Sequence, residues 1–368
     1  LFHGTFYLMS KYLRARLRKY IFIILTTTLF SLITFSKSLS VENIFIIDNV
    51  KVEGAIDINF SRDKYINKAF LNSFEILMSK ILLLKDLNKI DNIKLKKVKG
   101  LISSFQILEE SYRNNEYKAN FKIFYDDIKV IELLKLKNIS FSQPKNISAI
   151  FFPVLFVNEE IEDFYDNFFY KQWTKVEIKN ELINFILPLE DLDDISRIKE
   201  MKNRIEELNV DDFVNKYDIK NYVFTLMHYQ NTHLNIYIKT NFNDNRVSKN
   251  ITYELSDIKN ELKLDGILKD LKMQITDIWK KENIIDLSIP LLIRIKFQHR
   301  NLGDLDRLKN TFYKISIIDN YFLEEFNINN SFFKIYYYGN PKKLRAELLK
   351  FGYQLNNDQG HWGLYIDD

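Results

Sequence analysis

A duplicated strand phrase constrains this chain more than any other feature. LEESYRNN at 108–115 and LEEFNINN at 323–330 lie 215 positions apart, and each runs on into Lys-Ile-aromatic-Tyr, at 122–125 and 334–337. Heavy use of Lys, Asn, Ile and Phe raises chance matches between such words, so the flanking patterns must decide whether they mark a repeat.

Around the second phrase the local pattern spells β-α-β-β-α-β. SIPLLIRIKF at 288–297 alternates, which sets Ile289, Leu291, Ile293, Ile295 and Phe297 on one strand face. Asp304 is expected to cap a helix whose Leu305, Leu308, Phe312 and Ile315 share one side. Two aromatic and β-branched runs about an Asn-rich turn then predict a hairpin. Asn340 as N-cap, Pro341 at the first helical position and Gly352 just past the end bracket a second helix, and HWGLYI at 361–366 closes with a strand. This order is the ferredoxin-like βαββαβ arrangement.

The first copy reads β-α-β-β-α. A strand-like run over 42–60 precedes a helix that Ser61 can cap, with Ile66, Ala69, Phe70, Ser73, Leu77 and Ile81 in helical period. A hairpin about Arg113-Asn114-Asn115 follows, and Asp126 or Asp127 caps a last helix. The duplicated phrases thus mark equivalent hairpins in two similar modules.

Between the copies, ISAIFFPVLF at 147–156 and LINFILPL at 182–189 are near-continuous apolar runs, the mark of strands buried on both faces. Helical stretches are expected over 164–180, 195–208 and 210–219, and a hairpin about Gln230-Asn231-Thr232. An amphipathic helix carrying Leu264, Ile267, Leu268, Leu271, Ile275 and Ile278 connects onward. The expected division is therefore an export segment (1–40), a first ferredoxin-like module (41–143), an α/β layer domain (144–254), a connecting helix (255–283) and a second ferredoxin-like module (284–368).

Lys11, Arg14, Arg16, Arg18 and Lys19 precede an uncharged run of 17 residues at 20–36, and Ser38-Leu39-Ser40 offers the small residues a signal peptidase reads. A secretory signal cleaved before Val41 is the expectation, with Met9 as the start and an uncleaved inner-membrane anchor as the alternative. Residues 1–40 hold six basic residues and no acid, so of 53 basic and 49 acidic residues the remainder keeps 47 and 49, a net charge of −2. A nucleic-acid partner, which needs a basic face for phosphates, loses its support. Cysteine is absent, so disulfides and thiolate chemistry are excluded and the cores alone must hold the fold.

Catalytic patterns are sparse. None of the nine glycines lies between Leu101 and Asp265, which argues against a phosphate cradle in the middle domain. His228 and His233 flank a turn but lack the spacing of a zinc site. Glu190, Asp191, Asp193 and Asp194 follow a buried strand, where they suit either a cation or the start of a helix. Phe169 and Trp173, with Tyr165 nearby, form an aromatic stripe that is either core or a docking surface.

The runs AIFFPVLF, DNFFYKQWTKV, NFILPLEDLDDI and YDIKNYVFTLMHY, with SFQILEESYRNNEYKANFKIFYDDIKVIELL upstream, resemble a family of exported bacterial proteins known as a domain of unknown function. Its middle region is similar to the α/β domain at the N-terminus of the Tol-system periplasmic β-propeller protein. Related domains occur in the curli-secretion lipoprotein, the penicillin-binding-protein activator lipoprotein and the flagellar T-ring protein. Two departures stand out: Asn167-Phe168-Phe169 where Asn-Pro-Trp is expected, and Pro188-Leu189-Glu190-Asp191 where Pro-Leu-Gly-Asp is expected. The resemblance implies an envelope role through protein contacts and supplies no catalytic residues.

The reading is an α+β and α/β multidomain chain, two ferredoxin-like modules flanking a Tol-type domain. It is expected to act in the periplasm as a non-enzymatic scaffold or adaptor, without cofactor, metal or nucleic acid. Phe169, Trp173, Glu190 and Asp191 are the expected partner surface, and self-association through sheet edges is open. The alternatives are a metal-dependent hydrolase using His228, His233 and the acids at 190–194, and a glycan-binding module built on Trp173.

Overall fold

The alternating run near the amino terminus folds as β1 (Ile46–Ala55), which buries Ile47, Val50 and Val52 beneath α1 (Arg62–Ile81). A 3-10 turn at Leu84–Ile90 and α2 (Leu95–Leu101) lead to β2 (Ile102–Arg113), β3 (Glu116–Tyr125) and α3 (Asp127–Leu136). The strands form an antiparallel sheet in the order β1-β3-β2. Asn114 and Asn115 turn the hairpin with φ of 53° and 56°, a left-handed conformation that Asn tolerates. Asp126 caps α3 by accepting from the Lys129 N–H at 3.1 Å, whereas Ser61 stands at the N-cap of α1 without a side-chain bond. The structure, a computed structural model, describes residues 43–368 apart from 180, 359 and 368, so the expected export segment at 1–40 lies outside the described residues.

After β4 (Phe141–Ser142) the chain enters the middle layer. Its elements are β5 (Ile147–Val157), β6 (Glu160–Ile161), α4 (Phe168–Gln172), β7 (Ile183–Ile186), α5 (Leu192–Met201), a 3-10 turn at Lys202–Glu207, α6 (Asp211–Val214), β8 (Tyr222–Gln230), β9 (His233–Phe242) and β10 (Asn245–Glu254). The sheet runs β10-β9-β8-β5-β6, with β7 parallel to β5 and β5 parallel to β8. Both faces are covered: α4 and α7 (Glu261–Glu282) lie over one, and α5, the second 3-10 turn and α6 over the other. This is why β5 is buried along nearly its whole length. The long helix expected over 164–180 is confined to α4, and that over 210–219 to the four residues of α6. β10 was not anticipated, since Asn243 and Asp244 turn the chain with positive φ into a strand of mixed polar residues.

The last part contains β11 (Ile284–Ile285), β12 (Leu291–Gln298), α8 (Leu302–Lys314), β13 (Ile318–Phe326), β14 (Asn330–Tyr337), α9 (Pro341–Leu349), β15 (Tyr353–Asp358) and β16 (His361–Ile366). Its sheet order is β13-β14-β12-β16-β15, with β16 parallel to β12 and β15 an additional edge strand absent from the sequence reading. Asn301, not Asp304, caps α8: its side chain accepts from the Asp304 N–H at 3.0 Å, while Asp304 accepts from the Arg300 N–H at 2.9 Å. Asn340 caps α9 as expected. Ile289 is exposed because β12 starts two residues after it, and Ile293, Ile295 and Phe297 form the inner face.

Register identifies the repeat. Tyr125, Phe124, Ile123, Lys122, Phe121 and Asn120 of β3 meet Ile102, Ser104, Phe105, Gln106, Ile107 and Glu109 of β2. Tyr337, Tyr336, Ile335, Lys334, Phe333 and Phe332 of β14 meet Ile318, Asn320, Tyr321, Phe322, Leu323 and Glu325 of β13. The bulges fall at the same two places in each hairpin, and Lys-Ile-aromatic-Tyr occupies the same four sites. The Leu-Glu-Glu words are one residue out of structural register, with Leu108 matching Glu324. The two copies also share one hydrophobic core, joined where β4 pairs with β11. Among the described residues no helix is long and apolar enough to cross a membrane.

Candidate functional site

The expected partner surface separates on folding. Phe169 and Trp173 are fully buried, with Trp173 stacked on Phe151 at 3.6 Å between ring centroids and Lys272 over its face at 5.3 Å. Burial pushes the Lys272 ammonium below the usual lysine value, and its hydrogen-bond acceptor is the Val176 carbonyl. Glu190 and Asp191 stay outside. Glu190 accepts from the Phe164 N–H at 3.2 Å, and Asp191 accepts from the N–H groups of Asp193 and Asp194 at 2.9 and 3.4 Å. The Lys216 ammonium bridges Asp191 and Asp194 and holds the Asp191 carboxyl below its ordinary range. The acids therefore start α5, as carboxylates at a helix amino end do.

The histidines are also occupied within the fold. His228 stacks on Phe156 at 4.7 Å and faces Asn235 across the ladder, while His233 faces Gln230 and contacts the Asn231 carbonyl through Nδ1 at 2.8 Å. The two are diagonal neighbours, not an opposed pair. His299 is buried with Nε2 at 2.9 Å from the Ser331 hydroxyl. Among the described residues no group of three His, Asp or Glu side chains is arranged to hold a metal ion.

A denser constellation was missed in the sequence. Glu110 of β2 accepts from Arg62 Nε and Nη2 at 2.7 and 3.1 Å, from the Tyr117 hydroxyl at 2.7 Å and from the Tyr112 hydroxyl at 3.1 Å. Phe60, Tyr65, Tyr112 and Tyr117 pack their rings about it. The Arg62 side chain, aided by both tyrosines and opposed by burial, holds the Glu110 carboxyl at about 2. Only its position inside the duplicated phrase hinted at it, because its charge partner Arg62 lies on a helix 48 positions earlier. A depressed carboxylate stabilises the fold above its ordinary value of 4.5, and that contribution is lost as pH falls toward 2. Denaturation midpoints should therefore show Glu110→Gln weaker than wild type at pH 6, with the gap closing at pH 2. A pH-independent gap would remove the carboxylate from the explanation.

This network braces an edge strand along which three apolar side chains are partly exposed: Phe105 and Tyr112 at the rim of the helix-covered face, against Phe70 and Tyr117, and Leu108 at the bulge. The register-matched edge strand β13 exposes Phe322, Leu323 and Phe326, and Ile328 in the turn beyond is 89% exposed. Phe326 occupies the site equivalent to Glu110, so the second hairpin substitutes an exposed ring for the buttressed carboxylate. The copies differ on the far side as well. β16 pairs with β12, whereas the corresponding outer edge of β1 is met by side chains: the Tyr65 hydroxyl donates to the Ala55 carbonyl at 3.1 Å and Lys68 Nζ to the Glu53 carbonyl at 3.5 Å. Gly54 is needed there, since a Cβ would lie 2.3 Å from the Tyr65 hydroxyl.

Neither the family models nor the curated proteins compared with this chain match it.

Proposed function

We propose that this chain is an exported, non-enzymatic adaptor in which two ferredoxin-like modules flank a Tol-type α/β layer, and that the edge strands β2 and β13 receive a protein partner. The strand order β13-β14-β12 and its counterpart β2-β3-β1, each with a helix after its first and third strands in sequence, support the module reading, although β16 runs parallel to β12 where a ferredoxin-like last strand is antiparallel. The parallel β7-β5-β8 core with helices on both faces supports the Tol-type reading. One observation carries the adaptor function: equivalent edges of both repeats present apolar rings to solvent, Phe105 and Tyr112 on one and Phe322 and Phe326 on the other. Exposed apolar side chains gathered on one feature mark contact sites. Two bulges in each strand disfavour simple pairing with another copy of the same edge, so the rings and not the backbone do the recognising.

Photo-reactive residues placed at Leu108 and Phe326 in the producing cell should crosslink a common envelope protein. The same probe at Glu190 should not. Crosslinks from Glu190 alone would return the contact to the middle layer and overturn this assignment, as would silence at both strands.

A further inference from the structure

Where the three parts meet, a cleft of about 550 Å³ opens between the β4–β5 connector, the carboxyl end of α7 and the amino end of α9. Its walls bring Lys145, Lys342 and Lys343 together, with Glu282 as the lining carboxylate and the amides of Asn243 and Asn283 between. Lys343 Nζ stands 3.4 Å from Glu347, and Glu282 accepts from Asn245, but among the described residues neither Lys145 nor Lys342 has an ion-pair partner. Burial pushes the Lys343 ammonium below the usual lysine value, Glu347 opposes this, and Lys350 and Lys145 add like-charge repulsion. The cleft therefore holds a positive surplus that residues far apart in sequence create on folding. Its volume falls within the range of small-molecule sites, and junctions between domains are where such sites concentrate.

We propose that this cleft binds a phosphate ester, with Lys145 of the connector and Lys342 of α9 as its principal charge partners. A dianionic group offsets the surplus that a single carboxylate would leave, and ammonium groups suit phosphate as compact charges. The space exceeds that of a bare phosphate ion, which is why an ester is assigned. Because its walls come from different parts of the chain, the ligand ties the last module to the middle layer. The site is independent of the adaptor reading.

Calorimetric titration of the full chain at constant ionic strength tests it, with glycerol 3-phosphate, inorganic phosphate and acetate as probes. Glycerol 3-phosphate should give one saturable site and bind more tightly than phosphate, and acetate should give none. Lys145→Gln with Lys342→Gln should weaken binding at least tenfold, and Glu282→Gln should strengthen it. Both lysines are exposed, so the double variant is expected to keep the wild-type circular dichroism spectrum. Capture on phosphatidic acid vesicles but not on phosphatidylglycerol vesicles, dependent on the two lysines and without a response to the soluble ester, would identify the ester as a lipid phosphomonoester headgroup. Equal responses to acetate and to phosphate, undiminished binding by the double variant, or no lysine-dependent binding to any probe would overturn the site.

Discussion

Lys280→Met should cost about 3–5 kcal/mol, the range for removing one partner from a buried charged arrangement. Lys280 is fully buried in α7 and reaches across to α1, donating to the Ser79 carbonyl at 2.9 Å and to the Leu82 carbonyl. Asp277, 3.5 Å from its ammonium, accepts from the Leu84 N–H at 3.0 Å, and the Ser142 hydroxyl donates to the Lys280 carbonyl at 2.7 Å. One lysine thus terminates the first module's long helix from within the middle part. Methionine keeps the aliphatic volume but leaves the Leu82 carbonyl and the Asp277 charge without their cation. Adding Asp277→Asn should recover part of the loss, because the amide oxygen still accepts from Leu84 without a buried charge. Chemical denaturation measures both variants, and a loss below about 1 kcal/mol for Lys280→Met would mean that water replaces the ammonium.

The same residue carries a pH signature. Burial holds the Lys280 ammonium below the usual lysine value, with Asp277 opposing. A depressed lysine binds its proton less tightly folded than unfolded, so wild-type stability should rise as pH climbs toward that usual value. Lys280→Met should flatten the rise.

Trp173→Ala is expected to be of similar size, about 3–5 kcal/mol, because it empties the site of a fully buried indole in the middle core. The void would lie between Phe151, Phe185 and the Lys272 stem, none of which can collapse far without moving a strand or α7. Trp173→Phe should be much milder, at most about 1.5 kcal/mol. It retains a stacking ring and removes an indole N–H that is buried without a hydrogen-bond partner. Urea midpoints for the pair separate cavity cost from chemistry, and a phenylalanine variant as unstable as the alanine one would contradict the packing account.

The residues with strict period were legible in advance. Ile293, Ile295 and Phe297 alternate and are buried, and Leu264, Ile267, Leu268, Leu271, Ile275 and Ile278 all lie on the buried side of α7. Asn340, Pro341 and Gly352 bracket α9 because each supplies a local conformation or bond that does not depend on distant residues. Where local preference was divided, the reading failed. β10 and β15 are strands whose polar side chains resemble loop, and each is held by a neighbour that supplies a complete ladder. The region after Trp173 has helical spacing but leaves the helix at Gln172, having packed its rings against β5.

The sequence by itself determined that strands and helices alternate in two similar sets about an apolar middle, because periodicity and capping are short-range properties written in adjacent side chains. It also marked matching sites of the two hairpins, through Lys-Ile-aromatic-Tyr, although the more conspicuous Leu-Glu-Glu words are out of register by one residue. Only the tertiary structure decided that both repeats share a core, that Lys280 caps a helix nearly 200 positions away, that Glu110 meets Arg62, and that three lysines face one cleft. These juxtapositions join residues whose individual preferences are ordinary. Their energies come from burial and charge proximity, which exist only once the chain has closed upon itself.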